Sequence, residues 1–110
     1  MPAPRPGRPV RGSSSGRPVM ALLDLLGRRW VLRVLWELRA PAPTFRDLQQ
    51  RCDGMSSSVL AQRLSDLRDA GLVASEHDSG YSLTPDGSAL LELLGPLDTW
   101  AQGWAHRTRR

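Results

Sequence analysis

Apolar residues recur every three or four positions along much of the chain, the spacing that lines one face of a helix. Five such stretches predict helices at residues 18–26, 29–39 and 45–51, from Ser56 or Ser57 to Ala70, and from Pro85 towards the C-terminus. Two short apolar runs, at residues 72–74 and 81–83, predict a β-hairpin with its turn at residues 78–80. The pattern therefore predicts a mainly α-helical domain with one small β-hairpin.

Capping and breaking residues mark several ends of these predicted helices. Pro43 follows the second helix, and Thr44 with Asp47 three residues later has the pattern of a capping box for the third. In the last helix, Gly95–Pro96 predicts a kink or an interruption, because proline lacks the backbone N–H that a helix interior uses.

Charge is distributed unevenly along the chain. The formal net charge is +4, but residues 1–17 contain four Arg and no acid, while residues 18–110 contain eleven Arg and eleven Asp or Glu. Composition predicts a disordered basic arm at residues 1–16, a folded domain at 17–106 and a basic tail at 107–110. A DNA-binding surface on the folded part would have to be local, or assisted by the arm.

The sequence lacks the groupings that metal binding or catalysis requires. Cys52 is the only cysteine, and His77 and His106 are too far apart for a common metal-binding motif. There is no recognisable nucleophile–base pair, carboxylate pair or phosphate-binding loop. We therefore expect no enzyme activity, no cofactor and no metal. With no long apolar run and no secretory signal, we also expect no membrane segment and a cytoplasmic location.

The order of the predicted elements is that of a winged helix-turn-helix domain, with the hairpin as the wing. The fourth helix is the candidate recognition helix, since a leucine stripe anchors one face and leaves small polar residues on the other. The predicted DNA contacts are Ser56, Ser57, Ser58, Gln62, Arg63, Thr44 and Arg46. Gln62 can read a base edge, and Arg63 can bind phosphate or guanine unless it pairs inward with Asp66. The Asp and Glu residues fall on predicted polar helix faces.

Two arginines have an unusual position. Arg28 and Arg29 lie beside the start of the second helix, where their charge opposes the helix dipole. Solvent, a DNA phosphate and an acidic residue across a dimer remain open as their partners.

Several motifs resemble the HxlR-type family of bacterial winged helix-turn-helix regulators. Gly27-Arg28-Arg29-Trp30 with Leu32 resembles the family's G-x-[KR]-W-x-L signature, and Phe45-Arg46-Asp47-Leu48 resembles part of its R-F-[ST]-[DE]-L helix. Residues 54–73, GMSSSVLAQRLSDLRDAGLV, resemble the stretch around its recognition helix. Residues 81–87 resemble its Y-x-L-T-P-x-G entry to the last helix. The likeness covers about residues 17–105.

The resemblance implies a transcription regulator that binds double-stranded operator DNA. It also implies that the regulator is a homodimer, with its two protomers packed through their first and last helices. The candidate dimer or effector contacts are Leu22, Trp36, Leu97, Trp100 and Trp104. Aromatic residues at such an interface could hold a small apolar or aromatic effector. The alternative is a winged-helix module that binds another protein and has little affinity for DNA.

Three positions depart from the family pattern. Arg17 stands where many members carry a cysteine, so thiol sensing through that position is excluded, and Cys52 is expected to be a small, partly buried residue. The wing is short and acidic, with Glu76 and Asp78. Ser58 occupies a position early in the recognition helix that is often basic.

Overall fold

A computed structural model describes residues 17–40, 43–76 and 80–109, with Glu76 described by its backbone alone. Its elements are helices α1 (Pro18–Leu26), α2 (Val31–Glu37), α3 (Phe45–Arg51) and α4 (Ser57–Asp69), strands β1 (Val73–Glu76) and β2 (Gly80–Leu83), and helix α5 (Pro85–Thr108). The predicted arm at residues 1–16 lies outside the described residues. Across the described ranges, no helix is long and apolar enough to cross a membrane.

The start of α2 differs from the prediction. The pattern predicted a helix over residues 29–39, but α2 covers Val31–Glu37. Trp30 precedes it with a left-handed backbone, φ 76°. A right-handed helix cannot pass through that conformation, so α2 begins at Val31, the residue after Trp30. Trp30 itself is partly buried and packs against the core.

Side-chain caps define the starts of α3 and α4. The Thr44 hydroxyl accepts a hydrogen bond from the Asp47 amide, while the Thr44 amide donates to the Asp47 carboxylate, each at 3.1 Å. This confirms the predicted capping box. For α4, the Ser56 hydroxyl accepts from the Val59 amide at 3.2 Å, so Ser56 rather than Ser57 is the N-cap. Hydroxyl caps of this kind satisfy amides that have no partner within the helix.

The core is built where α2, α3 and α4 meet. Val31, Val34 and Leu35 of α2 are fully buried, as is Leu48 of α3. Further fully or nearly fully buried side chains come from α4 and the turn before it: Cys52, Leu60, Leu64 and Leu67. The leucine stripe predicted for α4 is therefore confirmed. The expectation for Cys52 was wrong in degree, because its side chain has no exposed surface.

The hairpin and α5 follow the core helices. Strands β1 and β2 pair antiparallel, with Val73 opposite Leu83 and Glu76 opposite Gly80. The first strand starts one residue later than predicted because Leu72 still belongs to the turn, where its carbonyl accepts from the Thr84 amide at 3.0 Å. Residues 78 and 79 of the predicted turn lie outside the described residues.

Helix α5 is not interrupted at Pro96, in contrast to one of the two outcomes predicted there. It runs for 24 residues through Pro96 and ends at Thr108, two residues beyond the predicted end of the domain. Pro96 is exposed, so the carbonyl that loses its N–H partner can be satisfied by water. The two halves of α5 are therefore parts of one continuous helix.

Candidate nucleic-acid interface

Helix α4 has two chemically distinct faces. Leu60, Leu64 and Leu67 lie against the core, whereas Ser57, Ser58, Ala61 and Gln62 are exposed. The exposed residues are small except for Gln62, and none of them is charged. A helix with this kind of surface can approach a DNA groove closely, and the free amides of its first turn favour phosphate.

The serines at the start of α4 have different tasks. The Ser56 hydroxyl is engaged as the cap and lies 3.4 Å from the Ser58 hydroxyl. Ser57 and Ser58 occupy the first exposed helical positions. Of the three serines predicted to contact DNA, Ser56 therefore has a structural role in addition to any contact it makes.

Gln62 and Arg63 are brought together by Asp66. The Gln62 Nε2 donates to Asp66 Oδ1 at 2.9 Å, and Arg63 Nη1 lies 3.5 Å from Asp66 Oδ2. Arg28 Nη1, from the turn before α2, lies 3.3 Å from the same Oδ2. The inward alternative for Arg63 is therefore the one observed in this structure.

Two sequence expectations are corrected by this cluster. Asp66 was placed on a polar helix face, but its exposure is 1%. It is buried because Arg28 is delivered from another part of the chain, which helical spacing within α4 cannot reveal. The sequence left solvent, a DNA phosphate and an acid across a dimer open as partners of Arg28. The structure instead pairs Arg28 with Asp66, an acid of the same chain.

The start of α3 carries the two remaining predicted DNA contacts. Thr44 and Arg46 are both exposed there, as a DNA contact would require. Hydrogen bonds to the Asp47 carboxylate from the Thr44 backbone amide and, second, from the Thr44 side chain lower the pKa of the Asp47 carboxyl. The Asp47 charge therefore remains in place beside Arg46 at neutral pH.

Contacts of Arg33 and Arg51, which the sequence did not indicate, fix the turn between α3 and α4, and we call this group of contacts the arginine clasp. Arg33 of α2 donates from Nη2 to the Arg51 carbonyl at 2.6 Å, and its Nη1 lies 3.5 Å from Asp53 Oδ2. Arg51 in turn donates to the Glu37 carbonyl at 3.2 Å. Asp53 and Gly54 both have left-handed backbones, with φ 59° and 71°. The clasp holds α3 and its turn against α2.

Arg68 is another functional candidate that the sequence did not single out. It is exposed near the end of α4, and its Nη1 lies 3.3 Å from the Ser75 hydroxyl on β1. The contact joins the candidate recognition helix to the wing. No local signal pairs residues 68 and 75, since their proximity depends on how β1 leaves α4.

A separate apolar surface runs along α5. The apolar face of α5 consists of four side chains that are each more than half exposed: Leu93, Leu97, Trp100 and Trp104. Trp100 and Trp104 have near-parallel rings with centroids 6.0 Å apart. In α1, Leu22 is partly buried, while Val19 and Leu23 have exposures of 56% and 54%.

Trp36 differs from the tryptophans of α5. It is 41% exposed on α2, and the Arg39 guanidinium lies 3.8 Å from the centroid of its ring. A cation–π contact of this kind already covers part of the ring.

Metal binding and thiol chemistry find little support in the described part of the chain. No group of three His, Cys, Asp or Glu side chains there could hold a metal ion. The Cys52 thiol is buried, and this burial raises its pKa. A thiol that stays protonated is a poor nucleophile.

The helix order, the hairpin after α4 and the two faces of α4 define a winged helix-turn-helix protein of the DNA-binding class. The model of the HxlR-like helix-turn-helix family matches residues 25–109, and the chain belongs to this family. Two relatives are named as HTH-type transcriptional regulators. YvaP of Bacillus subtilis is 31% identical over 74% of this chain and 82% of its own length, and MJ0925 of Methanocaldococcus jannaschii is 27% identical over 77% and 83%.

Solved structures agree with this assignment. The quinone-bound YodB of B. subtilis superposes with a TM-score of 0.71 at 27% identity, over 77% of this chain and 94% of YodB. A possible HxlR family transcriptional factor from Thermoplasma volcanium gives 0.67 at 29% identity, over 77% and 82%. The predicted fold class and family are thereby confirmed. The protein is a DNA-binding transcription regulator, and of the two functions considered the comparisons support this one over a protein-binding module.

Proposed function

We propose that the protein binds operator DNA as a homodimer and inserts α4 of each protomer into the major groove. The observation that carries the proposal is the uncharged, small-residue face of α4, which continues from the capped N-terminus to Gln62. In this arrangement Ser57 and Ser58 contact phosphates, Gln62 meets a base edge, and Thr44 with Arg46 contacts the backbone from α3. Such a regulator would act in the cytoplasm, where the chromosomal DNA of a bacterium lies.

Dimerisation is supported by the apolar face of α5. Its four side chains follow spacings of four, three and four residues, so they lie on one side of the helix. Trp100 and Trp104 are 58% and 52% exposed, which is costly in water for such large rings. Packing against the same face of a second copy, with Val19 and Leu23 of α1 alongside, would cover them. A two-fold dimer presents two α4 helices to half-sites about 34 Å apart.

A small aromatic effector is a further part of the proposal. The Trp100–Trp104 pair offers ring surface to a flat apolar molecule at the edge of the dimer contact. The similar structure of YodB contains a bound quinone, which supports an effector of this chemical class. Quenching of tryptophan fluorescence by a quinone, lost in Trp100→Phe, would test it.

The first test uses the N-terminus of α4. Ser58→Glu places a negative charge where phosphate is expected, while an acid in a first helical turn does not harm the helix itself. We expect operator affinity to fall at least about tenfold, with the melting temperature unchanged. Ser88→Glu is the matched control, since Ser88 is also exposed in the first turns of a helix, α5. Unchanged binding by Ser58→Glu would show that this end of α4 does not face DNA.

The assay is a mobility shift on the DNA upstream of the protein's own gene, over a salt series and with competitor DNA. Binding by two protomers with steep salt dependence is expected, because phosphate contacts release counterions. Removal of residues 1–16 deletes three Arg per protomer and lowers the salt slope by a few units if they contact phosphates. No specific complex at low salt from a folded dimer would favour the protein-binding alternative.

A further inference from the structure

The buried carboxylate beneath α4 is unusual in its surroundings. Asp66 is 1% exposed, yet it is surrounded by the guanidinium groups of Arg28 and Arg63 and by the amide of Gln62. The two arginines approach Oδ2, whereas Oδ1 receives only the Gln62 hydrogen bond among the contacts described. Oδ2 is buried without a hydrogen-bond partner, so the two arginines act on it through their charge, while Oδ1 accepts the Gln62 hydrogen bond.

The charge on Asp66 determines which way the Gln62 amide is turned. An ionised carboxylate can only accept hydrogen bonds, so the amide must present its N–H group and not its oxygen. The Gln62 oxygen and its second N–H are then left for a partner outside the protein.

The hydrogen bond also limits the motion of an exposed side chain. Gln62 is exposed, and a free glutamine loses considerable rotamer entropy when it binds. Its anchor, Asp66, is buried and lies between the guanidinium groups of Arg28 and Arg63, which restricts the positions that the carboxylate can take. Preorganisation of this kind favours one bound geometry over others.

We propose that Asp66 is a positioning residue that fixes the Gln62 amide in the orientation that reads adenine. In that orientation the Gln62 oxygen accepts from adenine N6–H, and the second N–H of Gln62 donates to adenine N7. The inference rests on the proposed function of α4 as the recognition helix. Asp66 itself does not touch DNA, and its effect passes entirely through Gln62.

The chain contains a matched control pair. On α5, Gln102 Nε2 donates to Asp98 Oδ2 at 2.9 Å, with the same four-residue separation, but both residues are exposed. Asp98→Asn therefore makes the same chemical change as Asp66→Asn on a different helix and at an exposed position. It reports what the loss of a surface Gln–Asp hydrogen bond does to the protein as a whole.

The experiment measures affinity for operator variants in which each base pair of a half-site is replaced in turn. Wild-type protein should prefer an adenine at one position, and Gln62→Ala should reduce this preference about tenfold. Asp66→Asn should reduce the preference at the same position about threefold or more, leave the other positions unchanged, and add nothing to Gln62→Ala in the double variant. Asp98→Asn should match the wild type at every position.

Other outcomes overturn the inference in distinguishable ways. If Asp66→Asn weakens binding to all sequences equally, Asp66 only supports the fold. If the wild type binds specifically but Gln62→Ala leaves every preference intact, Gln62 reads no base. If the wild type binds no operator sequence specifically, the proposed function itself fails.

A measurement without DNA keeps the test decisive if Asp66→Asn does not fold. In NMR spectra of the wild type, the Gln62 side-chain amide protons, assigned by their loss in Gln62→Ala, should exchange with water more slowly than those of Gln102. Equal exchange would show that Asp66 does not hold Gln62. Asp66→Glu, which retains the charge for Arg28 and Arg63 but moves the carboxylate, should accelerate exchange of the Gln62 protons alone.

Discussion

Trp100→Ala tests the proposed dimer most directly. The Trp100 ring is 58% exposed in the protomer, which corresponds to about 130 Å² of a surface of about 200–250 Å². Covering that area in a dimer stabilises it by about 3 kcal/mol at most, and by about 1.5 kcal/mol if half is covered and alanine retains some contact. A two-fold interface contains the change twice, so we expect a loss of about 3 kcal/mol, or about 100-fold in Kd.

Sedimentation equilibrium over a range of protein concentrations measures this Kd. Gln102→Ala is the control, because it lies two residues away and therefore about 200° around the same helix. It removes only the surface hydrogen bond to Asp98 and should leave Kd unchanged. A Kd for Trp100→Ala within a factor of three of wild type would refute the assignment of the α5 face to the dimer. Weakened operator binding should accompany dissociation, since one half-site alone is bound less tightly.

Two further predictions concern the core. Cys52 should react slowly with a thiol reagent in the native protein and rapidly in urea, because it is buried and its pKa is raised; equal rates would contradict its burial. Gly87→Ala should lower the free energy of unfolding by about 2 kcal/mol, since its Cβ would lie 2.1 Å from the Leu72 carbonyl oxygen, whereas Gly95→Ala, with nothing within 4 Å, should be neutral or stabilising. Equal effects in urea denaturation would show that the contact at Gly87 relaxes freely.

Local chemistry made much of the fold predictable. Thr44 and Thr84 begin helices through their own hydroxyl groups, and the leucine spacing of α4 identifies its buried face without reference to the rest of the chain. The hairpin follows from two short apolar runs. Features of this kind depend on residues within about one helical turn of each other, which is the range that a sequence pattern covers.

The parts that were missed depend on contacts between distant segments. The left-handed backbone at Trp30 has no local signal in a residue that seldom adopts it. The burial of Asp66 requires Arg28 from 38 positions earlier in the chain, and the position of Arg68 depends on the strand that carries Ser75. The exposed serines of α4 could be placed from sequence, whereas the orientation of Gln62 could not.

The internal ion pairs also explain how a folded part with balanced charge can bind an anionic partner. Arg28 and Arg63 both face the buried Asp66, and Arg33 lies near Glu37 and Asp53 at the surface, so three arginines are engaged by acids of the same chain. The same pairs engage three acids, and Asp66 is the only acid within the first ten residues of α4. Burying it removes the negative charge that would repel phosphate from the reading face. The electrostatic character of that face is therefore set by which acids are covered as much as by which arginines are exposed.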